Sequence, residues 1–394
     1  MKIMSVNSGS SSIKFKLFEM PSEKVIASGQ VDKIGFEDAG FEIEFNGKEF
    51  EKTLPIKSHT LGAQLIINGL IEHKIVKDMK EIVAVGHRIV QGGEVFKEHT
   101  IVDDKVLQQI LDLADMAPLH NKAHVISIKA FREVLPNVPH TVVFDTVFHS
   151  TMKEDAFMYA VPYFWYTDHG IRKYGFHGTS HKYVSELTNK ILGNKKDSKV
   201  IVCHIGNGAS ISAVRNGVCV DTSMGFTPLD GIPMGTRTGA IDPAILNYIG
   251  EKLNLSSAEV YEILNKKSGY LGISGVTSDA RELEQSIAEG NKRSKLAFDL
   301  QAKRIADYIG SYYVYMEGVD AITFTAGIGA NSPRLRKLVC DRLKALGVKI
   351  DDKLNEAKAQ EISTKDSKVR VFVINTNEEV VIARETLKLI KRKA

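Results

Sequence analysis

Cysteine is scarce. Only three occur in 394 residues, Cys203, Cys219 and Cys340, far apart and without metal-ligand spacing. They offer no disulfide framework, which points to a reducing compartment. No run approaches the roughly 20 consecutive apolar residues that a membrane-spanning helix needs. The opening stretch, Met1-Lys2-Ile3-Met4-Ser5-Val6, turns polar at Asn7 before a signal-peptide apolar region can form, so a cytoplasmic protein is expected. A large excess of charge of either sign is also lacking. Lys plus Arg total 52 against 48 for Asp plus Glu, and the net charge of +4 is spread along the chain. That is too little to suggest nucleic acid or an anionic membrane as partner. No Cys/His/Asp cluster has zinc spacing and Gly-x-Ser-x-Gly is absent, which removes zinc enzymes and serine hydrolases of that type.

What remains is an ordinary globular composition, 43% apolar and 25% charged, long enough for two domains. Ile3-Met4-Ser5-Val6 reads as a strand, Asn7 through Ser12 as a polar turn, and Ile13-Lys14-Phe15-Lys16-Leu17-Phe18 as a strand of period two. The plan returns at Val200-Ile201-Val202-Cys203, followed by the turn His204-Ile205-Gly206-Asn207-Gly208-Ala209 and the strand Ser210-Ile211-Ser212-Ala213-Val214, which leads to a turn at Asn216-Gly217. Two glycine-turn hairpins of slight sequence identity suggest a duplicated α/β unit with a boundary near residue 150. A third glycine turn, Ala326 through Asn331, follows the strand Ala321-Ile322-Thr323-Phe324-Thr325. After it, Ser332 reads as an N-cap, Pro333 as the first helical residue, and Gly347 as the stop. Thr179 or Ser180 is expected to cap another helix that closes at Gly193. Strands alternating with helices predict an α/β protein with mixed sheets.

Glycine lets backbone N–H groups converge on phosphate oxygens. Ser10, Ser12 and Ser210 add hydroxyl donors, and Lys14 adds charge on the strand leaving the first turn. Each turn alone reads more readily as an ordinary hairpin. Three of them, one leading into a helix N-terminus, favour a nucleotide, although neither Rossmann nor Walker spacing is present. Arg88, in Gly86-His87-Arg88, and Arg237, in Gly235-Thr236-Arg237, sit in glycine-rich loops. There a guanidinium can fork onto a carboxylate or a phosphate, or serve a structural ion pair. Asp145 and the pair Glu378-Glu379 are candidates for holding a metal or orienting an arginine. His177, in Tyr174-Gly175-Phe176-His177-Gly178-Thr179-Ser180-His181, can donate to phosphoryl oxygens or serve a capped helix start. His120 and His204 stand under the same two readings.

Taken together and in order, these motifs resemble the acetate kinase family, within the wider group of acetate and sugar kinases, heat-shock chaperones and actin. The match runs almost end to end and includes Phe144-Asp145-Thr146, His204-Ile205-Gly206-Asn207-Gly208-Ala209-Ser210, Asp221 through Leu229, Ile241-Asp242-Pro243 and Thr376-Asn377-Glu378-Glu379. The resemblance implies a duplicated, actin-like (ribonuclease H-like) two-domain α/β fold with ATP bound in its cleft. Residues 1–147 with 380–394 would form the carboxylate and magnesium side, and 148–379 the ATP-binding and dimerising side.

The resemblance further implies ATP-dependent phosphorylation of acetate with Mg²⁺, or Mn²⁺ in its place, in a homodimer. Asn7 and Glu378 would hold the metal. Lys14, Ser10, Ser12, His204, Ile205, Gly206, Asn207, Gly208, Asp279, Ala280, Arg281, Gly327, Ile328, Gly329, Ala330 and Asn331 would bind ATP. Arg88 would bind the carboxylate, and Val90, Leu119, Phe176 and Pro228 its methyl group. Asp145, His177, Arg237 and Arg88 would be catalytic. Departures from the family's usual residues are Gln91 for His, Ala326 for Gly, Ala330 for Glu, Thr238 and Ala240 beside Arg237, and Asn375 for Pro. A propionate or butyrate kinase would share nearly every motif; a chaperone-like or filament-forming nucleotide module would share the glycine turns alone.

A carboxylate acceptor with a pKa of about 4 is already ionised at pH 7, so it needs no general base. Asp145 is therefore read as orienting Arg88 or Arg237, or as binding Mg²⁺ through water.

Overall fold

The computed structural model describes residues 1–117 and 120–393. The chain divides into two compact units, Met1–Val147 with Asn377–Ala394, and Phe148–Thr376.

The first unit is built on an eight-stranded sheet. Its strands are β1 (Lys2–Ser8), β2 (Ile13–Glu19), β3 (Lys24–Asp32), β4 (Gly40–Phe45), β5 (Lys48–Thr53), β6 (Ile82–Ile89), β7 (Thr100–Ile101) and β8 (His140–Phe144), in the order β5-β4-β3-β2-β1-β6-β8-β7. β1, β2 and β3 pair antiparallel, whereas β1, β6 and β8 run parallel. The second unit has five strands, β9 (Lys199–Ile205), β10 (Ala209–Arg215), β11 (Val218–Thr222), β12 (Ala321–Thr325) and β13 (Arg370–Val373), in the order β11-β10-β9-β12-β13. β9, β10 and β11 pair antiparallel, and β9, β12 and β13 run parallel. The sheet β3-β2-β1-β6-β8 thus repeats strand for strand as β11-β10-β9-β12-β13. The suggested duplication is a matter of topology, with almost no sequence identity to carry it.

Burial alternates along β2 as period two requires: Ile13, Phe15 and Leu17 are buried, while Lys14 is exposed and Lys16 half-buried. One face of the first sheet takes Val6, Ile13, Phe15 and Leu17 into a core with Ile66, Ile67 and Leu70 of the helix His59–Glu72. Ala130 and Phe131 of the helix Asn121–Val134 join it. The opposite face receives the C-terminal helix Glu378–Lys393, with Gly86 of β6 packed directly against it. In the second unit the central strands β9, β10 and β12 are buried almost throughout, as expected of a sheet covered on both faces.

Local expectations are met where turn chemistry decides them. Asn216 and Gly217 take φ of 52° and 77°, the two positive values that a type I′ hairpin turn needs. Ser332 Oγ accepts from Leu335 N at 3.1 Å and Pro333 opens the helix Pro333–Asp341. Two expectations are corrected. Thr179 and Ser180 do not cap the helix Gly178–Ile191: both lie inside its first turn, and His177 is the N-cap residue, at φ 58° and ψ 27°. The third glycine turn is itself a short helix, Ala326–Asn331, because small residues there let the chain coil directly off β12.

Gly86 leaves no room for a methyl group. A Cβ there would lie 2.2 Å from Thr386 Oγ1 and 2.6 Å from Ile382 Cγ2 of the C-terminal helix, and Thr386 is fixed by a 2.7 Å hydrogen bond between its hydroxyl and that of Thr141. Gly86→Ala is expected to destabilise the protein by about 1–3 kcal/mol through overpacking, read as a lower midpoint of thermal unfolding by circular dichroism. An unchanged midpoint would show that the helix packs more loosely on β6.

Candidate functional site

In the first unit, strand pairing gathers charge on one face. Asn7 pairs with Lys14 across β1 and β2, so their side chains share a face. Ser5 and Gly86 pair across β1 and β6, and alternation puts Arg88 on that same face. Asp145 follows β8 directly. Its carboxylate accepts from Arg88 Nε at 2.9 Å and from Nη2 at 2.7 Å, a bidentate fork. Glu378, in the first turn of the C-terminal helix, brings an oxygen to 3.7 Å from Arg88 Nη2, and Glu379 pairs with Lys16 at 3.3 Å. Burial works against the Arg88 charge, but the charges of Asp145 and Glu378 prevail and hold its pKa above the ordinary value. Asp145 is 1% exposed and Arg88 17%, so the guanidinium is fixed in direction with one edge accessible. Of the carboxyl orientations expected for Asp145, this geometry selects Arg88.

Val90 is half-buried just after β6, while Ser10 is exposed and Ser12 half-buried in the first turn. Leu119 lies outside the described residues. Gln91 is fully buried, its Oε1 accepting from Gly93 N at 3.0 Å.

The second unit carries a different electrostatic arrangement. Arg237 Nη1 donates to the Pro228 carbonyl at 3.3 Å and approaches Met234 Sδ at 3.7 Å. Among the described residues no carboxylate pairs with it, and burial pulls its pKa below the ordinary value. Where Arg88 is cancelled by an acid, Arg237 is a half-buried cation held by neutral groups. His177 stands beside it. An ideal Cβ on Gly208 would lie 3.4 Å from His177 Nε2 and 3.6 Å from Arg237 Nη1, so both groups converge on the turn between β9 and β10. The His177 ring stacks on His204 at 4.3 Å between centroids, and Phe176, buried beside it, accepts from His149 Nε2 at 2.9 Å.

That turn borders a cavity of about 800 Å³ lined by Asn207, Ser278, Asp279, Ala280, Arg281, Glu284, Gly327, Ile328, Asn331, Ser332 and Lys358. Its volume lies in the range of small-molecule sites, about 300–1,000 Å³. Seven of the residues assigned to ATP from the sequence therefore meet in one place. Asp279 caps the helix Ala280–Ala288, accepting from Arg281 N at 2.8 Å and from the Arg281 guanidinium at 2.7 Å, and these hydrogen bonds hold its pKa down at about 2. Gly206 packs against the neighbouring turn, where an ideal Cβ would come 3.6 Å from Ala326. Gly329 and Ala330 are buried beneath, and Ile205 is buried at the end of β9.

The sequence is matched by the family model described as the Acetokinase family over residues 2–384. An acetate kinase of Acholeplasma laidlawii is 55% identical over 391 residues, covering 99% of both chains. One of Geobacillus sp. is 53% identical, covering 98% of both. Among solved structures, an acetate kinase of Porphyromonas gingivalis superposes with a TM-score of 0.93 at 41% identity and 99% coverage of both chains. A propionate kinase of Francisella tularensis gives 0.94 at 41% identity, covering 98% of this chain and 99% of that one. The chain belongs to the acetokinase family.

The duplicated sheets are accordingly those of the family's actin-like fold, and the protein is a phosphotransferase acting on a carboxyl group. Sequence reasoning missed several members of the site. Lys358 lines the cavity and donates from Nζ to Asn331 Oδ1 at 3.1 Å. Arg336 is fully buried and donates from Nη1 to the carbonyls of Gly329 and Ala330, both at 2.9 Å, and from Nη2 to that of Asn355 at 2.8 Å. It satisfies carbonyl groups at the end of the helix Ala326–Asn331 that the helix itself leaves open. The available signal was its place on the apolar face with Leu335 and Val339, where a cation needs a reason.

One departure from the family's usual residues has a local cost. Ala326 takes φ of 65°, a left-handed conformation that suits glycine and costs an L-residue about 1–2 kcal/mol. Ala326→Gly is expected to raise stability by about 1 kcal/mol, measured as a higher urea midpoint at unchanged slope. An equal or lower midpoint would mean that Ala326 carries no strain.

Proposed function

We infer that the protein transfers the γ-phosphoryl group of ATP to acetate, forming acetyl phosphate and ADP in a reversible reaction. The observation that carries this reading is the pairing of opposite electrostatic designs: an acid-locked Arg88 in the first unit and an acid-free Arg237 with His177 over a glycine turn in the second. Phosphoryl transfer asks for positioning and for neutralisation of charge on the equatorial oxygens. The acceptor is ionised at neutral pH, so two anions must be brought together without a base. Arg88, held rigid by Asp145, orients the acceptor carboxylate, and Val90, Phe176 and Pro228 serve its methyl group. Arg237 and the His177 N–H neutralise charge growing on the transferred group, where donors fixed in advance are worth most. The cavity beside Asn207, Asp279 and Gly327 takes the nucleotide, with Gly208 offering its backbone N–H to the phosphates while the Gly206 N–H closes the turn on the Gly208 carbonyl at 3.1 Å.

Asn7 and Glu378 are assigned to Mg²⁺. An amide and a carboxylate oxygen are hard donors, and magnesium characteristically takes one or two carboxylates with the remainder from phosphate and water. Bound there, it would screen the charge of the β- and γ-phosphates. Among the described residues, three acidic groups close enough to share an ion occur only at Glu42, Glu49 and Glu51 on β4 and β5, where the charges of Glu42 and then Glu51 push the Glu49 pKa up. That cluster has no place in this assignment. No helix among the described residues is long and apolar enough to cross a membrane; the cytoplasmic location we assign rests on the few, scattered cysteines.

The deciding experiment is trapping of acyl phosphate as hydroxamate with Mg-ATP and acetate, propionate or butyrate. Acetate should give the highest kcat/KM, with each added methylene costing about 10- to 200-fold. Arg88→Ala and Arg237→Ala should each lower kcat by about 10²–10³ in folded protein. Preference for propionate would reassign the substrate, and wild-type turnover in either variant would remove that arginine from the mechanism.

A homodimer through the second unit is part of the same reading. The helix Ala244–Leu253 buries none of its residues within the chain, and Ile245, Tyr248 and Leu253 are 47%, 65% and 58% exposed. An apolar face of this kind marks a protein contact. Leu253→Asp combined with Tyr248→Asp should convert a dimer into monomers in sedimentation velocity. A dimer that persists would place the interface elsewhere.

A further inference from the structure

The role assigned to His177 depends on which ring nitrogen carries a proton, and the groups behind the ring bear on that choice. His177 Nδ1 lies 2.9 Å from Ser210 Oγ, and the same oxygen lies 2.7 Å from His181 Nε2. Ser210 and His181 are both fully buried, and among the described residues His181 Nδ1 has no hydrogen-bond partner. Burial, followed by the neighbouring charges of His149 and His204, holds the His181 pKa well below its ordinary value, so this ring is neutral.

A serine hydroxyl has one proton. It can donate to one imidazole and accept from the other, which leaves two arrangements. In the first, His181 Nε2–H donates to Ser210 and Ser210 donates to His177 Nδ1. In the second, both bonds reverse, and neutral His181 must then carry its proton on Nδ1. The second arrangement strands a buried N–H donor, whereas the first leaves only an unused lone pair. Orphaned buried donors are the rarer of the two. We propose that His181 and Ser210 are positioning residues, whose hydrogen-bond chain fixes His177 as the tautomer protonated on Nε2.

The consequence rests on the kinase reading above. Nε2 is the atom that faces Gly208 beside Arg237 Nη1. Protonated, it offers a donor to a phosphoryl oxygen; in the other neutral tautomer it would offer a lone pair and repel it. The stacked His204 ring, whose Nδ1 is 2.7 Å from Ser180 Oγ, keeps the His177 plane from turning away.

The test uses the full-length protein with ¹⁵N-labelled histidine and long-range ¹H–¹⁵N correlation, with a His177→Gln variant to assign the ring. The wild-type spectrum should show His177 Nδ1 unprotonated and Nε2 protonated. Ser210→Ala should mix the tautomers and lower kcat about tenfold, with KM for ATP and acetate changed less than about twofold. His181→Gln, whose amide N–H takes the place of Nε2–H, should keep the wild-type tautomer, and His181→Leu should not. A wild-type His177 protonated on Nδ1, or a tautomer unaffected by Ser210→Ala, overturns the proposal, and the wild-type spectrum decides even if the variants do not fold. The expected tautomer together with full activity in Ser210→Ala would uphold the hydrogen-bond chain and remove His177 from the kinase mechanism instead.

Discussion

Arg88 and Asp145 form the interaction on which the first unit's charged face depends. Either charge buried without its partner would be costly. Their two-point contact leaves the pair nearly neutral in total while fixing the guanidinium plane. It is possible only because β6 and β8 are parallel neighbours, with Ile89 paired to Phe144, so that residues at their carboxyl ends emerge side by side. The C-terminal helix, packed on the same face, adds Glu378 and Glu379 at its first turn.

The second unit solves the opposite problem. Its cation, Arg237, is held by a carbonyl and a thioether, and among the described residues no carboxylate pairs with it. Its glycines let backbone come close, and two buried scaffolds support them from behind. Arg336 ties down the carbonyls of Gly329 and Ala330, and the His181–Ser210 pair supports His177. Both scaffolds are buried polar networks, in which a hydrogen bond is electrostatically stronger than in water.

Much of this was legible in the chain itself. Period-two alternation located β1, β2, β9 and β10, glycine and asparagine marked the turns between them, and Ser332-Pro333 marked a helix start. Those features are local, governed by backbone conformations that individual residue types favour. The order of the motifs carried the family, and with it the fold. The N-cap at His177 was not legible, because capping statistics favour serine and threonine. Packing instead placed Thr179 and Ser180 in the interior and left the histidine in a left-handed turn.

Sequence by itself therefore determined the strands, the turns and the set of residue types able to meet phosphate and carboxylate. Tertiary structure alone decided how they are paired. Asp145 was equally free, on the sequence, to serve Arg88 or Arg237, and strand register gave it to Arg88. Lys358 stands apart from the recognised motifs along the chain, and Arg336 turns back from the helix Pro333–Asp341 onto the glycine turn before it; packing brought both to the site. The physical reason is range: conformational preference acts over a few neighbouring residues, whereas hydrogen bonds and charges act between whatever groups the fold brings within a few ångströms.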